Sequence, residues 1–265
     1  MTTSTHHTAA PRRARASGGG LPGAVAAEWS KLWSVKSTWW SLIGGGALML
    51  LTAPIIGSTM ANNKKNSAGV AVGEVAVNTV YVAQFALIAL SMLVITAEYT
   101  SGSIRTTLQA VPRRGQLLLA KSLVAGVVSL LGGIALGLIG VGVSSMTLGD
   151  KAIFDSAEAF GSALRMGVYL ALISSLTIGV AVAVRSAAGT LTIVFVGLTV
   201  MPVILQASDM GPLVYLSERM PNSAGTIFMN AADKPYAAGT AFVILALWAV
   251  AVQAAGYQVL RKRDA

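Results

Sequence analysis

Cysteine is absent from the sequence, which excludes disulfides, thiolate zinc sites and iron–sulfur clusters. Histidine is scarce: only His6 and His7 occur, side by side in a polar tail rich in Thr and Ala. A pair in such a tail is tail composition rather than a ligand set, so no metal site is expected. Charge is short as well. Asp, Glu, Lys and Arg make up 11% of the 265 residues, against about 25% in a soluble domain, while 54% are hydrophobic. So few charges cannot cover a surface exposed to water, and the apolar excess must face lipid.

Two more absences narrow the chemistry. No lysine follows a glycine, so the phosphate-cradling pattern G-x-x-x-x-G-K-[ST] is missing. Nucleotide energy, if used, must come from another chain. No long apolar run holds an ionisable residue in its interior. An ion-driven carrier then has little with which to bind its coupling ion. An intramembrane protease lacks the His, Asp or H-E-x-x-H it would need. The chain is therefore expected to have no catalytic residue and no cofactor of its own.

What the sequence does hold is six uncharged runs of about the length a membrane helix requires. They are residues 39–60, 75–97, 122–149, 166–184, 186–208 and 235–260, the fifth containing Pro202. The fourth and fifth are parted only by Arg185 and a few small residues. Together they are too long for one crossing, so a tight turn is expected at 185–189. Residues 1–22, with three consecutive glycines at 18–20, read as a disordered cytoplasmic tail. Arg12-Arg13 is not an export signal, because its apolar run begins only at Trp39, beyond a charged stretch.

Residues 23–38 read as an interfacial amphipathic helix. Val25, Trp29, Leu32 and Trp33 fall on one side, while Glu28, Lys31 and Ser34 fall away from it. Lys36 projects from the apolar side and must snorkel; Trp39 and Trp40 mark the headgroup level.

The net charge of +9 would point to nucleic acid in a soluble protein. Here the basic residues sit in short segments between apolar runs and form no contiguous face, so no nucleic-acid partner is expected. Topology and lipid headgroups account for them. With the N-terminus inside, thirteen of the 19 Lys and Arg residues fall on cytoplasmic segments, and Lys64-Lys65 are a local exception. The expected fold is thus all-α: six transmembrane helices (39–260) in the cell membrane, preceded by the interfacial helix, with both termini cytoplasmic and a basic tail at 261–265.

In the third run Gly126, Ser129, Gly133, Gly137, Gly140 and Ser144 recur at spacings of three and four. Small residues on one stripe let a second backbone approach closely, either within the bundle or at a subunit contact. The outer loop 206–234 has room for short helices. Gln84 and Gln253 are the clearest polar residues in the runs.

The most informative segment is 98–121, E-Y-T-S-G-S-I-R-T-T-L-Q-A-V-P-R-R and onward to Lys121. Ser101 can cap a short helix and Pro112 cannot continue one. Between them Ile104, Leu108 and Val111 share a face, beside Arg105, Arg113 and Arg114. Such a helix suits docking onto a cytoplasmic partner, or packing against its own bundle.

With Glu98, Gly102, Ile104-Arg105, Thr107-Leu108, Pro112-Arg113 and Lys121 in this order, the chain resembles the permease subunits of type-2 ABC exporters. Glu28 and Lys31 in the first helix and Pro221-Asn222-Ser223-Ala224-Gly225 in the last outer loop add to the likeness, which covers about residues 24–260. The resemblance implies a second permease, identical or a sister chain, and a separate ATPase subunit carrying ATP and Mg. It implies a coupling surface that includes Glu98, Ser101, Gly102, Ile104, Arg105, Leu108, Pro112 and Arg113. A non-transporting membrane anchor and a passive pore are the alternatives.

Overall fold

The computed structural model describes residues 20–63, 69–111 and 113–262 and the backbone, but not the side chain, of Arg105. Expectations placed on the tail 1–19, on His6 and His7, on Lys64, Lys65 and Pro112, on the Arg105 side chain and on 263–265 lie outside the described residues.

Helix α1 (Gly20–Ser34) leads into α2 (Lys36–Ala61) through an extended Val35. Then come α3 (Val72–Ser101), α4 (Ile104–Ala110), α5 (Arg114–Leu148) and α6 (Ser156–Val184). The fifth crossing is made of α7 (Ala187–Phe195), a π-helical stretch Val196–Val200 and α8 (Met201–Ala207). Short helices α9 (Gly211–Glu218) and α10 (Pro221–Met229) fill the predicted outer loop, and α11 (Ala238–Lys262) closes the chain.

Among the described residues six helices are long and apolar enough to cross a membrane: α2, α3, α5, α6, the α7–α8 composite and α11. That is the build of a multi-pass membrane protein, and the six fall on the six apolar runs. One departure from all-α is a two-residue parallel bridge, β1 (Val70–Ala71) with β2 (Ala152–Ile153).

Helices α3, α5 and α6 make the centre. Against them pack α2, α11 and α1, and α10 fits against α6 and α11. The outer helices keep large apolar side chains exposed, among them Trp40, Leu51, Ile55, Leu247 and Val250. So much exposed apolar surface needs a cover of hydrocarbon or of another chain.

Close approach at the centre depends on small residues. A Cβ on Gly133 would lie 2.7 Å from Gly167 Cα, and one on Gly137 would lie 2.7 Å from Ala163 Cα, both on α6. A Cβ on Gly140 would meet Met49 of α2 and Ala76 of α3. Ser129 and Ser144 are buried in the same stripe, with the Ser144 hydroxyl donating to Gly140 O at 2.6 Å. These members of the stripe therefore pack within the chain. Gly126 does not: nothing lies within 4 Å of its Cβ position.

The tight turn expected at 185–189 is present but shorter: only Arg185 and Ser186 lie between the helices, and 187–189 already belong to α7. Arg185 takes a left-handed conformation (φ 59°), and Ser186 caps α7 by accepting the Gly189 amide at 3.3 Å. Pro202, which has no N–H to give, stands in the first turn of α8, one residue after the π stretch and Met201.

Helix ends differ from the run ends. Helix α1 already includes residues 20–22, assigned to the tail, while Lys36 and Thr38 belong to α2; Thr38 Oγ1 donates to Leu32 O at 2.6 Å and closes the end of α1. Helix α5 has 35 residues, about 50 Å at 1.5 Å per residue, so it outruns a ~30 Å hydrocarbon core. Its first turns carry Lys121 inside the helix rather than at its edge. Likewise α3 continues past Glu98. The helices thus carry ionisable groups just beyond the apolar runs, whose interiors hold none.

Candidate functional site

Where α3 ends and α5 begins, four charged side chains from three helices meet. Lys121 of α5 is fully buried, and its Nζ donates to Glu28 Oε2 of α1 at 2.7 Å, to Glu98 Oε1 of α3 at 2.6 Å and to Val94 O at 3.3 Å. An ammonium has three protons, so these acceptors saturate it. Lys31 of α1, 41% exposed, donates to the same Glu98 oxygen from the solvent side. Two carboxylates and two ammoniums make the cluster neutral as a whole, which is what permits its burial. Glu98 Oε2 is buried without a hydrogen-bond partner among the described residues. Glu98 also lines a cavity of about 70 Å³ with Glu28, Lys31 and Thr38 on one side and Leu32, Leu90 and Leu93 on the other, large enough to hold water beside the carboxylates.

The cluster overturns one expectation about α1. Glu28 does not fall away from the apolar side. With Ala24 and Leu32 it forms the buried face of the helix, because Lys121 supplies it with a cation there. The Ala24, Glu28, Leu32 spacing of four was the available signal. Of the four residues expected on the apolar side, Leu32 is buried, Val25 and Trp33 are half-buried and Trp29 is exposed. The indole rings of Trp33 and Trp39 lie 5.1 Å apart.

Beyond the cluster lies α4. Gly102 ends α3 at φ 73°, ψ 0°, the left-handed C-cap that glycine favours. The chain then reverses into α4. The N-cap is Ser103, not Ser101; Ser101 ends α3, its hydroxyl donating to Ala97 O at 2.8 Å. Ile104 is buried, and with Leu117, Leu118 and Lys121 it walls one small cavity. Leu108 and Val111 are half-buried, while Thr106, Gln109 and Ala110 are exposed. The apolar side of α4 is therefore turned toward its own bundle, and its outward side is mostly polar. Arg113 is exposed at the N-cap of α5. On the next helix pair the Arg185 guanidinium stands 5.0 Å from the Tyr99 ring centroid.

A second, uncharged network sits in the opposite half. Tyr169 is fully buried, its hydroxyl 2.7 Å from Gln84 Oε1 and 3.0 Å from Asn222 Oδ1. Tyr81 pairs with Thr226, and Gln84 Nε2 donates to Tyr81 O at 3.1 Å. Gly225 lies under the Tyr169 ring, where a Cβ would clash. Residues 221–225, expected in the outer loop, thus begin α10 and seat it on α6. Outside the crossings, burial raises the Tyr236 hydroxyl pKa, which neighbouring Arg219 partly offsets.

Among the described residues no group of three His, Asp or Glu side chains is arranged to hold a metal ion. Compared with known proteins, the sequence matches no protein-family model, and no curated protein matches it.

Proposed function

We propose that this chain is the membrane permease subunit of an ATP-driven exporter of the type-2 ABC kind, working beside a second permease and on a separate ATPase that binds ATP and Mg. It sits in the cell membrane with both termini in the cytoplasm. Helix α1 lies along the inner face, with Trp29, Trp33, Trp39 and Trp40 at the headgroups.

The observation that carries this reading is the position of α4. It rests through Ile104 on α3 and α5, directly beyond the cluster that ties both to α1. A partner can bias the bundle only through contacts that differ between its states. Pressure on Thr106 and Gln109 passes through Ile104 and Leu108 into two central helices at once. The missing phosphate loop fits an energy source on another chain.

Leu108→Asp tests it. Half-buried Leu108 helps seat α4 on the bundle, and losing about half of a leucine's burial costs on the order of 1 kcal/mol. With α4 unseated, its outward side is displaced, and association with a co-expressed cognate ATPase is expected to weaken about fivefold. Substrate-stimulated ATP hydrolysis should fall with it. If both persist in a variant that still purifies as a folded protein, α4 is not the coupling element.

A further inference from the structure

We propose that the groove between α5, α6 and α11 binds one anionic glycerophospholipid, acyl chain along the groove and phosphate at the basic mouth formed by the start of α5 and the end of α11. The groove holds about 600 Å³ and is walled by Leu119, Leu172, Val250 and Ala254, with Tyr257 and Gly115 at one end. That volume is within the range of roughly 300–1,000 Å³ typical of sites for small organic ligands. Leu119 and Val250 are more than half exposed, so the groove opens sideways toward lipid.

One end of the groove is strongly basic. Arg113 and Arg114 start α5, and Arg261 and Lys262 end α11. The two ends are held together. Arg114 Nη1 donates to Leu260 O at 2.6 Å, and Arg261 stands 5.9 Å from the Tyr257 ring centroid. Among the described residues no carboxylate pairs with Arg113, Arg261 or Lys262. The first-turn amides of α5 also favour an anion there.

Midway along the groove, Gln253 Nε2 donates to Ser122 Oγ at 2.6 Å and to Ser175 Oγ at 3.1 Å, leaving Gln253 Oε1 without a partner among the described residues. An apolar slot with cations at one mouth fits an amphiphile carrying a headgroup phosphate. A wholly apolar molecule would leave the cations unused.

The test is lipid retention, read by native mass spectrometry after equilibration in bilayers of phosphatidylcholine and phosphatidylglycerol. The protein is expected to retain phosphatidylglycerol in preference to phosphatidylcholine. Arg261→Gln/Lys262→Gln should reduce that preference on the order of tenfold or more, because each basic residue near the anionic headgroup adds to its attraction. Ala254→Trp should reduce retention of both lipids by filling the slot. Val250→Trp, at an exposed wall, serves if the first variant does not fold. Unchanged preference in the charge variant, or unchanged retention in the tryptophan variants, overturns the proposal. So does ready disulfide formation by Ala254→Cys in membranes, since this cysteine-free chain would then present the groove to a second copy.

Discussion

Lys121→Met is expected to lower the stability of the protein by about 3–5 kcal/mol, the range for breaking a buried ion pair from one side. Methionine matches the lysine stem in bulk, so the loss comes from charge rather than from a cavity. Glu28 would be left buried with no cation of its own, and Glu98 would keep only Lys31, a half-solvated partner. An exposed pair contributes little, so Lys31 does not make good the loss. Adding Glu28→Gln removes the stranded carboxylate and should restore a substantial part of the stability. Thermal unfolding of the single and double variants in detergent measures both effects, and the cycle isolates the coupling. A Lys121→Met protein within 1 kcal/mol of the parent would mean that the cluster is not a structural tie.

The second large effect is expected from the small-residue stripe. Gly133→Leu places side-chain atoms where α6 backbone already lies: Gly167 Cα stands 2.7 Å from the Cβ position and Met166 O 3.1 Å. Backbone cannot rotate aside as a flexible side chain does, so the helices must separate. Overpacking of this kind costs about 1–3 kcal/mol and occasionally more, and here it strikes the central helix pair. Gly126→Ala is the matched control. It belongs to the same stripe but has open space around it, so the change should be neutral or stabilise by up to about 1 kcal/mol through helix propensity. Equal melting temperatures for Gly133→Leu and Gly126→Ala would refute the packing described for α5 on α6.

The contrast between these two glycines shows what periodicity in a sequence conveys. Spacing places Gly126 and Gly133 on one stripe, but only the path of α6 decides which is covered. The six crossings were legible because a run of uncharged residues long enough to span lipid has few other uses. The turn at Arg185 was legible because two such runs cannot be one helix. The charged cluster was not, and the reason is physical. Read singly, Glu98 and Lys121 mark the places where hydrocarbon must stop. Read as partners, they neutralise one another and can be carried inside. Pairing of Lys121 with Glu98 across 23 residues and with Glu28 across 93 is tertiary information that no local window contains. Ser101 failed as a cap for a related reason: α3 kept its helical bonds one turn further than its charge suggested, leaving the cap to Ser103. Short helices were expected somewhere in 206–234, and Pro221 to Gly225 form one because proline suits a first helical turn and Gly225 leaves room for the Tyr169 ring, which a Cβ would strike.

The wide turn in the fifth crossing has a mechanical consequence. At Val196–Val200 the Met201 amide reaches back five residues to Val196 O, so this stretch holds one residue more than an α-helix of equal height. Expelling that residue would turn everything beyond it by about 100° and advance it by ~1.5 Å. Val203 and Ile204, now facing outward, would swing to another side, and α9, tied to Pro202 through the Ser217 hydroxyl, would be dragged round. Among the described residues this is the only crossing with such slack. Its far half can change register about its own axis, and α9 is the helix coupled to that turn.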